Sequence, residues 1–375
     1  VAGQKTGVAV STLERVDERL PVAVGDLTGA LGDSVTVLPL VVALGALTPA
    51  SLAHVLVGFG GFQILWGLRY DLPLSVEPMK ALAGLAIAGA LSYGELVAAG
   101  LLAGGVLLFM GATGALGRLQ RVIGRPVVRG VQFAVALLLA QAGLDLALGD
   151  PGVAVLGVCV AGGVALAGFP RAAALVVLAV GTLWTALLSG VPAPAVPALA
   201  PFPAGGPTLS GAALEGTLAQ LAMTVGNAAV ATSLLCDDLF DRSVSPDRLA
   251  RSMGGMSLAA VPLGGLPMCH GSGGLAGKYA FGARTGTANV VLGVLYLAGA
   301  LVAGLWLAFP MALLGVLLAA VAARLGRVAL DTDHLPLVGA MGLLALVANV
   351  GVAFLLGLTY WLVRERRAEG DPRTA

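Results

Sequence analysis

The chain has 375 residues, 58% of them hydrophobic and only 11% charged, with a formal net charge of +1. An ordinary soluble domain carries about 25% charged residues, so this balance excludes a soluble globular protein, and near-neutrality excludes a nucleic-acid partner. Cys159, Cys236 and Cys269 have no paired spacing, which leaves neither a disulfide framework nor a zinc site. No Gly-xxxx-Gly-Lys-Ser/Thr run is present, so ATP is not the expected energy source. The chain also lacks His-Glu-xx-His and Gly-x-Ser-x-Gly motifs, so no enzyme is expected, and no cofactor.

In chain order, residues 1–20 are polar and mixed in charge and read as a cytoplasmic N-terminal tail. A hydrocarbon core of about 30 Å needs roughly 20 apolar residues per helix. Segments are expected near 21–45, 50–68, 72–91, 95–116, 127–148, 152–169 and 172–190, a first repeat over 21–190. The proline-rich, uncharged run VPAPAVPALAPFPAGGP lies in the linker 191–212. A second repeat over 213–363 has segments near 213–236, 249–263, 266–283, 287–308, 310–326, 335–348 and 350–363, and residues 364–375 form a cytoplasmic C-terminal tail.

The basic residues test this division. With the N-terminus in the cytoplasm, Arg69, then Arg118, Arg121, Arg125 and Arg129, then Arg171, Arg242, Arg248, Arg251, Lys278, Arg284, Arg324, Arg327, Arg364, Arg366 and Arg367 all fall on one side. This follows the positive-inside rule. It puts both termini in the cytoplasm and leaves Lys80 as the only basic residue inside a span. Seven is odd, so the two sets of seven have opposite orientation. The fold class predicted is an all-α membrane protein of fourteen segments in two inverted repeats, and the expected location is a prokaryotic inner (plasma) membrane.

Two segments are interrupted at corresponding places. The third begins LPLSVEPMK and the tenth begins LPMCHGSGG. Pro78 lacks an amide hydrogen, disfavours helix at Glu77 and suits a first helical turn. Extended stretches over Pro73–Glu77 and Pro267–His270 should therefore lead into half-helices starting at about Pro78 and around Gly271 to Gly274. Irregular backbone at bilayer depth is tolerated only where protein or a cavity surrounds it. Broken segments at matching positions of inverted halves point to a transporter binding site. Two helix starts facing each other offer amide donors and partial positive charge to an oxyanion. Each terminus contributes about 0.3–2 kcal/mol, whereas a bare ion in a dry interior costs tens. The site therefore needs many charge-assisted hydrogen bonds and a cation, for which Lys80 is the candidate, although it can also pair with Glu77. Glu77 either takes up a proton with the anion or serves as a helix-start carboxylate. His270, with an unperturbed pKa near neutrality, is the second proton-coupling candidate.

At these residues the chain resembles the molybdate transporter family of the sulfate-permease (SulP) superfamily. The motifs that carry the likeness are TGALGDSVTVLPLVVAL at 28–44, LPLSVEPMKA at 72–81, RGVQ at 129–132, NAAVATSLLCDDLF at 227–240 and LPMCHGSGGLAGKYAFGARTG at 266–286. The resemblance implies the uracil-permease-like fold, with core and gate domains and a homodimer. It implies uptake of molybdate, or the related oxyanions sulfate and tungstate, by a secondary transporter in contact with membrane lipid. Residues Ser75, Val76, Glu77, Pro78, Met79 and Lys80, with Cys269, His270, Gly271, Ser272 and Gly273, fall on stretches expected to face the anion, and Asp33, Thr36, Gln132 and Asn227 are expected to line the site. Two departures stand out: Glu77 replaces the family's glutamine before Pro-Met-Lys, and Gly32-Asp33-Ser34-Val35-Thr36 replaces Gly-Asp-Leu-Gly-Thr. No appended soluble regulatory domain is expected. A nucleobase or organic-anion carrier of the same fold, or an anion channel, is the alternative.

Overall fold

The structure is a computed structural model that describes residues 24–116 and 123–369. The expected N-terminal tail, Arg118, Arg121 and the end of the C-terminal tail lie outside the described residues. The chain is mostly helical. Among the described residues, six helices are long and apolar enough to cross a membrane: α1 (Val24–Leu47), α2 (Leu52–Tyr70), α4 (Tyr93–Thr113), α5 (Arg125–Gly149), α8 (Gly211–Phe240) and α12 (Met311–Ala329). Shorter apolar helices are α6 (Pro151–Leu166), α7 (Ala173–Ser189), α11 (Thr287–Leu301) and α13 (Leu335–Val347). Between them lie α3 (Lys80–Ile87), α9 (Pro246–Ala260), α10 (Ser272–Ala280) and the closing α14 (Val350–Glu369).

Local sequence explains the helix starts. Ser92 and Glu95 form a reciprocal capping box that opens α4. Asp150 caps α6 just ahead of Pro151, and Ser245 caps α9 just ahead of Pro246. The proline-rich stretch 191–210 forms neither helix nor strand. Within α8, residues Thr224–Ala231 widen into a π-helical turn, a local distortion common at functional sites.

Packing follows small residues. Helix α2 lies against α11, α4 against α9, and α1 against α10, while α5 packs on α12 and α13. A methyl group at Gly32, Gly60, Gly254 or Gly315 would strike the backbone of the partner helix, so glycine sets these close approaches. Large apolar side chains such as Leu166, Leu187, Leu188 and Val347 point outward, the surface that lipid rather than water would solvate.

The two interrupted segments depart from continuous helix. Of the span expected at 72–91 only Lys80–Ile87 is helical, and of 266–283 only Ser272–Ala280. Before each lies a two-residue strand, β1 (Glu77–Pro78) and β2 (Met268–Cys269), and the two pair antiparallel with Glu77 opposite Cys269 and Pro78 opposite Met268. One position is corrected. Lys278, counted with the cytoplasmic basic cluster in the sequence, is wholly buried inside the protein. Lys80 is therefore not the only basic side chain in the interior.

Candidate functional site

The site is built where β1 and β2 meet. Met79 donates its amide to the Pro267 carbonyl at 2.9 Å. Ser257 of α9 clamps Met268, donating to its carbonyl at 3.1 Å and accepting from its amide at 3.0 Å. Pro78 can sit here because a proline tolerates a strand position that requires no donor.

The extended lead-in to β1 has carbonyls that no helix can satisfy, and buried backbone groups must find partners. Here side chains supply them. Asn289 Nδ2 donates to the Leu74 carbonyl, His270 Nδ1 donates to that of Ser75 at 2.9 Å, and Gln63 Nε2 donates to that of Val76 at 3.2 Å. Three consecutive carbonyls are thus held by α11, by the turn after β2 and by α2. The His270 ring is engaged on both sides, since Nε2 lies 2.7 Å from Ser252 Oγ. Trp66 and Tyr70 meet it edge-on. In this geometry His270 is a positioning residue for the break.

The two short helices begin differently. The first-turn amides of Ala81 and Leu82 in α3 both donate to Gln220 Oε1 of α8, at 2.9 and 3.4 Å. Gln220 is fixed in turn by donating to Thr224 Oγ1 at 2.9 Å. Among the described residues no side chain caps α10, so its first-turn amides at Ser272, Gly273 and Gly274 remain free for a ligand. Gly273 is exposed, and a methyl built there would meet nothing within 4 Å. Open space therefore adjoins the start of α10. Ser272 Oγ donates to Asn227 Oδ1 in the π turn at 2.8 Å.

Four ionisable groups surround this point. Glu77 is buried, accepts from Ser75 Oγ at 3.2 Å and is paired with Lys80. Asp33 of α1 is buried and lies 3.5 Å from Lys278 Nζ. Lys278 also donates to Gln63 Oε1 at 3.0 Å and to Asn289 Oδ1 at 2.6 Å. The side chain of Lys80 retains 18% exposure while that of Lys278 has none, so Lys80 is the cation that an incoming ligand can reach. The halves come close at Gly274: a methyl there would collide with Ser75 Oγ, Glu77 Oε1 and Asp33 Oδ1 together. A methyl at Gly271 would collide with the Glu77 carboxylate.

The structure thus brings Ser75, Val76, Glu77, Pro78, Met79 and Lys80 into one cluster with Cys269, His270, Gly271, Ser272 and Gly273, joined by Asp33 and Asn227. The Cys269 thiol faces the Pro78 carbonyl at 3.8 Å. Among the described residues Gln132 forms no hydrogen bond to that cluster, and Thr36 touches it only through the backbone of its own helix. Thr36 bonds back to the Asp33 carbonyl at 3.3 Å. Gln132 accepts from Arg129 at 2.9 Å, and its buried amide nitrogen has no partner. Sequence reasoning did not single out Lys278, Gln63, Asn289 or Gln220. A signal for Lys278 exists: it lies four residues beyond Gly274, on the same helix face.

A family model described as "Molybdate transporter of MFS superfamily" matches residues 25–139 and 212–325. The chain belongs to this molybdate transporter family. Among curated relatives, Molybdate transporter 2 of Arabidopsis thaliana is 30% identical over 360 residues, covering 78% of this chain and 76% of that protein. Molybdate transporter 1 of Chlamydomonas reinhardtii is 29% identical over 466 residues, covering 89% and 90%. Among solved structures, the transmembrane domain of a cyanobacterial bicarbonate transporter, BicA, superposes with a TM-score of 0.62 at 20% identity, covering 90% of this chain and 96% of that one. At that identity the likeness concerns the fold. A member of the molybdate transporter family is an integral membrane transporter and not an enzyme. Each of the two matched regions contains one of the broken segments.

Proposed function

We propose that this family member is a secondary transporter that carries molybdate, or its relatives tungstate and sulfate, across the membrane by alternating access. The anion would sit at the start of α10, beside Lys80 and between the paired breaks. The observation that carries this is the β1–β2 pairing, which sets an uncapped helix start, open space and a reachable ammonium side by side. Amide and ammonium donors to a charged oxygen each contribute about 1.5–3 kcal/mol, so a handful of them is the least that such a site needs. Because Gln220 already occupies amides of α3, the weight of binding falls on α10 and Lys80 more than on two equivalent helix ends.

Glu77 lies against the first turn of α10, where an anion would repel its carboxylate. In this mechanism it takes up a proton as the anion binds and turns from a repelling group into a hydrogen-bond donor. The matched helix pairs, α2 with α11 and α4 with α9, support fourteen segments in two inverted sevens, with α1–α4 and α8–α11 as the core and α5–α7 and α12–α14 as the gate. The test is a binding titration of the purified protein with molybdate, tungstate, sulfate and uracil. Saturable binding of molybdate and tungstate, mutually competitive and independent of uracil, is the expected outcome. Uracil binding without molybdate binding would turn the assignment towards a nucleobase carrier.

A further inference from the structure

Of the charged cluster, the mechanism above leaves Lys278 unused, and with it the carboxylate of Asp33. Its Oδ2 has partners, Lys278 and Gln63, but its Oδ1 is buried with none. A buried acceptor without a donor is rare and calls for an explanation. That oxygen faces Glu77 Oε1 and Ser75 Oγ across the bare side of Gly274, with no side chain between them. A proton on Oδ1 makes it a donor, and two acceptors stand ready to receive it.

Resting on the oxyanion reading, we infer that Asp33 and Glu77 together form a two-proton coupling site, so that a dianion travels with two protons and no net charge. The balance is simple. Without substrate, two carboxylates face two ammonium groups, and the cluster is neutral. A dianion alone would leave the buried cluster with two uncompensated negative charges, which a low-dielectric interior strongly disfavours. When each carboxylate accepts one proton from water on the open side, Lys80 and Lys278 together balance the dianion. On release, both protons leave with it and the original ion pairs reform. No bond other than O–H is made or broken.

The neighbouring charged and titratable groups fit these roles. The three acceptors around Lys278 Nζ, namely Asp33, Gln63 and Asn289, suit an ammonium, which has three donors and no acceptor. Lys80 is paired with Glu77 across the same cluster. The Tyr296 hydroxyl on α11 is tied to Ser34 Oγ at 3.2 Å. His270 is fixed at both nitrogens, and the Cys269 thiol faces a carbonyl. This leaves the carboxyl pair as the site of proton exchange.

The test uses the full chain, purified and reconstituted into vesicles. Calorimetry of tungstate binding in two buffers of different ionisation enthalpy counts the protons taken up. A pH-sensitive dye inside the vesicles, with the membrane potential set by potassium and valinomycin, counts those carried. Wild type should take up two protons per tungstate and transport at a rate indifferent to the potential. Asp33→Asn should take up one, and transport should become sensitive to potential; Glu77→Gln should behave likewise. Should Asp33→Asn fail to fold, the wild-type count still decides. Tungstate binding with one proton or none, or an unchanged count of two in Asp33→Asn, overturns the inference while leaving the oxyanion function standing. Absence of any tungstate binding would overturn both.

Discussion

Lys278 shows how much one side chain can organise. Its ammonium joins Asp33 of α1, Gln63 of α2 and Asn289 of α11. The last two also hold the carbonyls of the lead-in to β1. Removing one partner of a buried ion pair costs about 3–5 kcal/mol, because it strands the other charge. Lys278→Met should therefore lower the thermal midpoint in detergent sharply. Asp33→Asn combined with Lys278→Met should recover most of that loss, since no unpaired charge remains. A double variant less stable than Lys278→Met alone would mean that the ion pair is not what the lysine contributes. The sequence places this residue poorly because its partners are distant, Gln63 being 215 positions away. Counting charges along the chain groups it with Arg284, whereas the helix face it shares with Gly274 turns it inward.

At the scale of elements, the two breaks were the most legible feature, because Pro73, Pro78 and Pro267 act locally and rule out a continuous helix. The expected helix starts lie within two residues of those observed, at Lys80 and Ser272. What local rules could not supply was the pairing of β1 with β2, or the capping of α3 by Gln220, since both depend on how distant helices pack. The difference between the two short helices yields a paired prediction at α10. Gly274→Ala pushes a methyl into three oxygens, and overpacking of this kind costs about 1–3 kcal/mol, so its thermal midpoint should fall. Gly273→Ala meets open space, so its stability should hold while tungstate affinity drops about tenfold, roughly the loss of one hydrogen bond to a charged group. Equal tungstate affinity in Gly273→Ala and wild type would show that the ligand does not approach this turn.

Across the whole molecule, the membrane class follows from hydropathy. The site does not, because it is assembled from α1, α2, α8 and α11 around two breaks contributed by opposite halves. Under the proposed function, such an arrangement suits alternating access, with the cluster held between two repeats while the surrounding helices change which side reaches it. The most direct test of that account is to locate the anion by diffraction from crystals grown with saturating tungstate, using the anomalous signal of tungsten. The account predicts one strong peak within hydrogen-bond reach of the Ser272–Gly274 amides and Lys80 Nζ. A peak elsewhere in the protein, with density at the start of α10 showing only water, would contradict it.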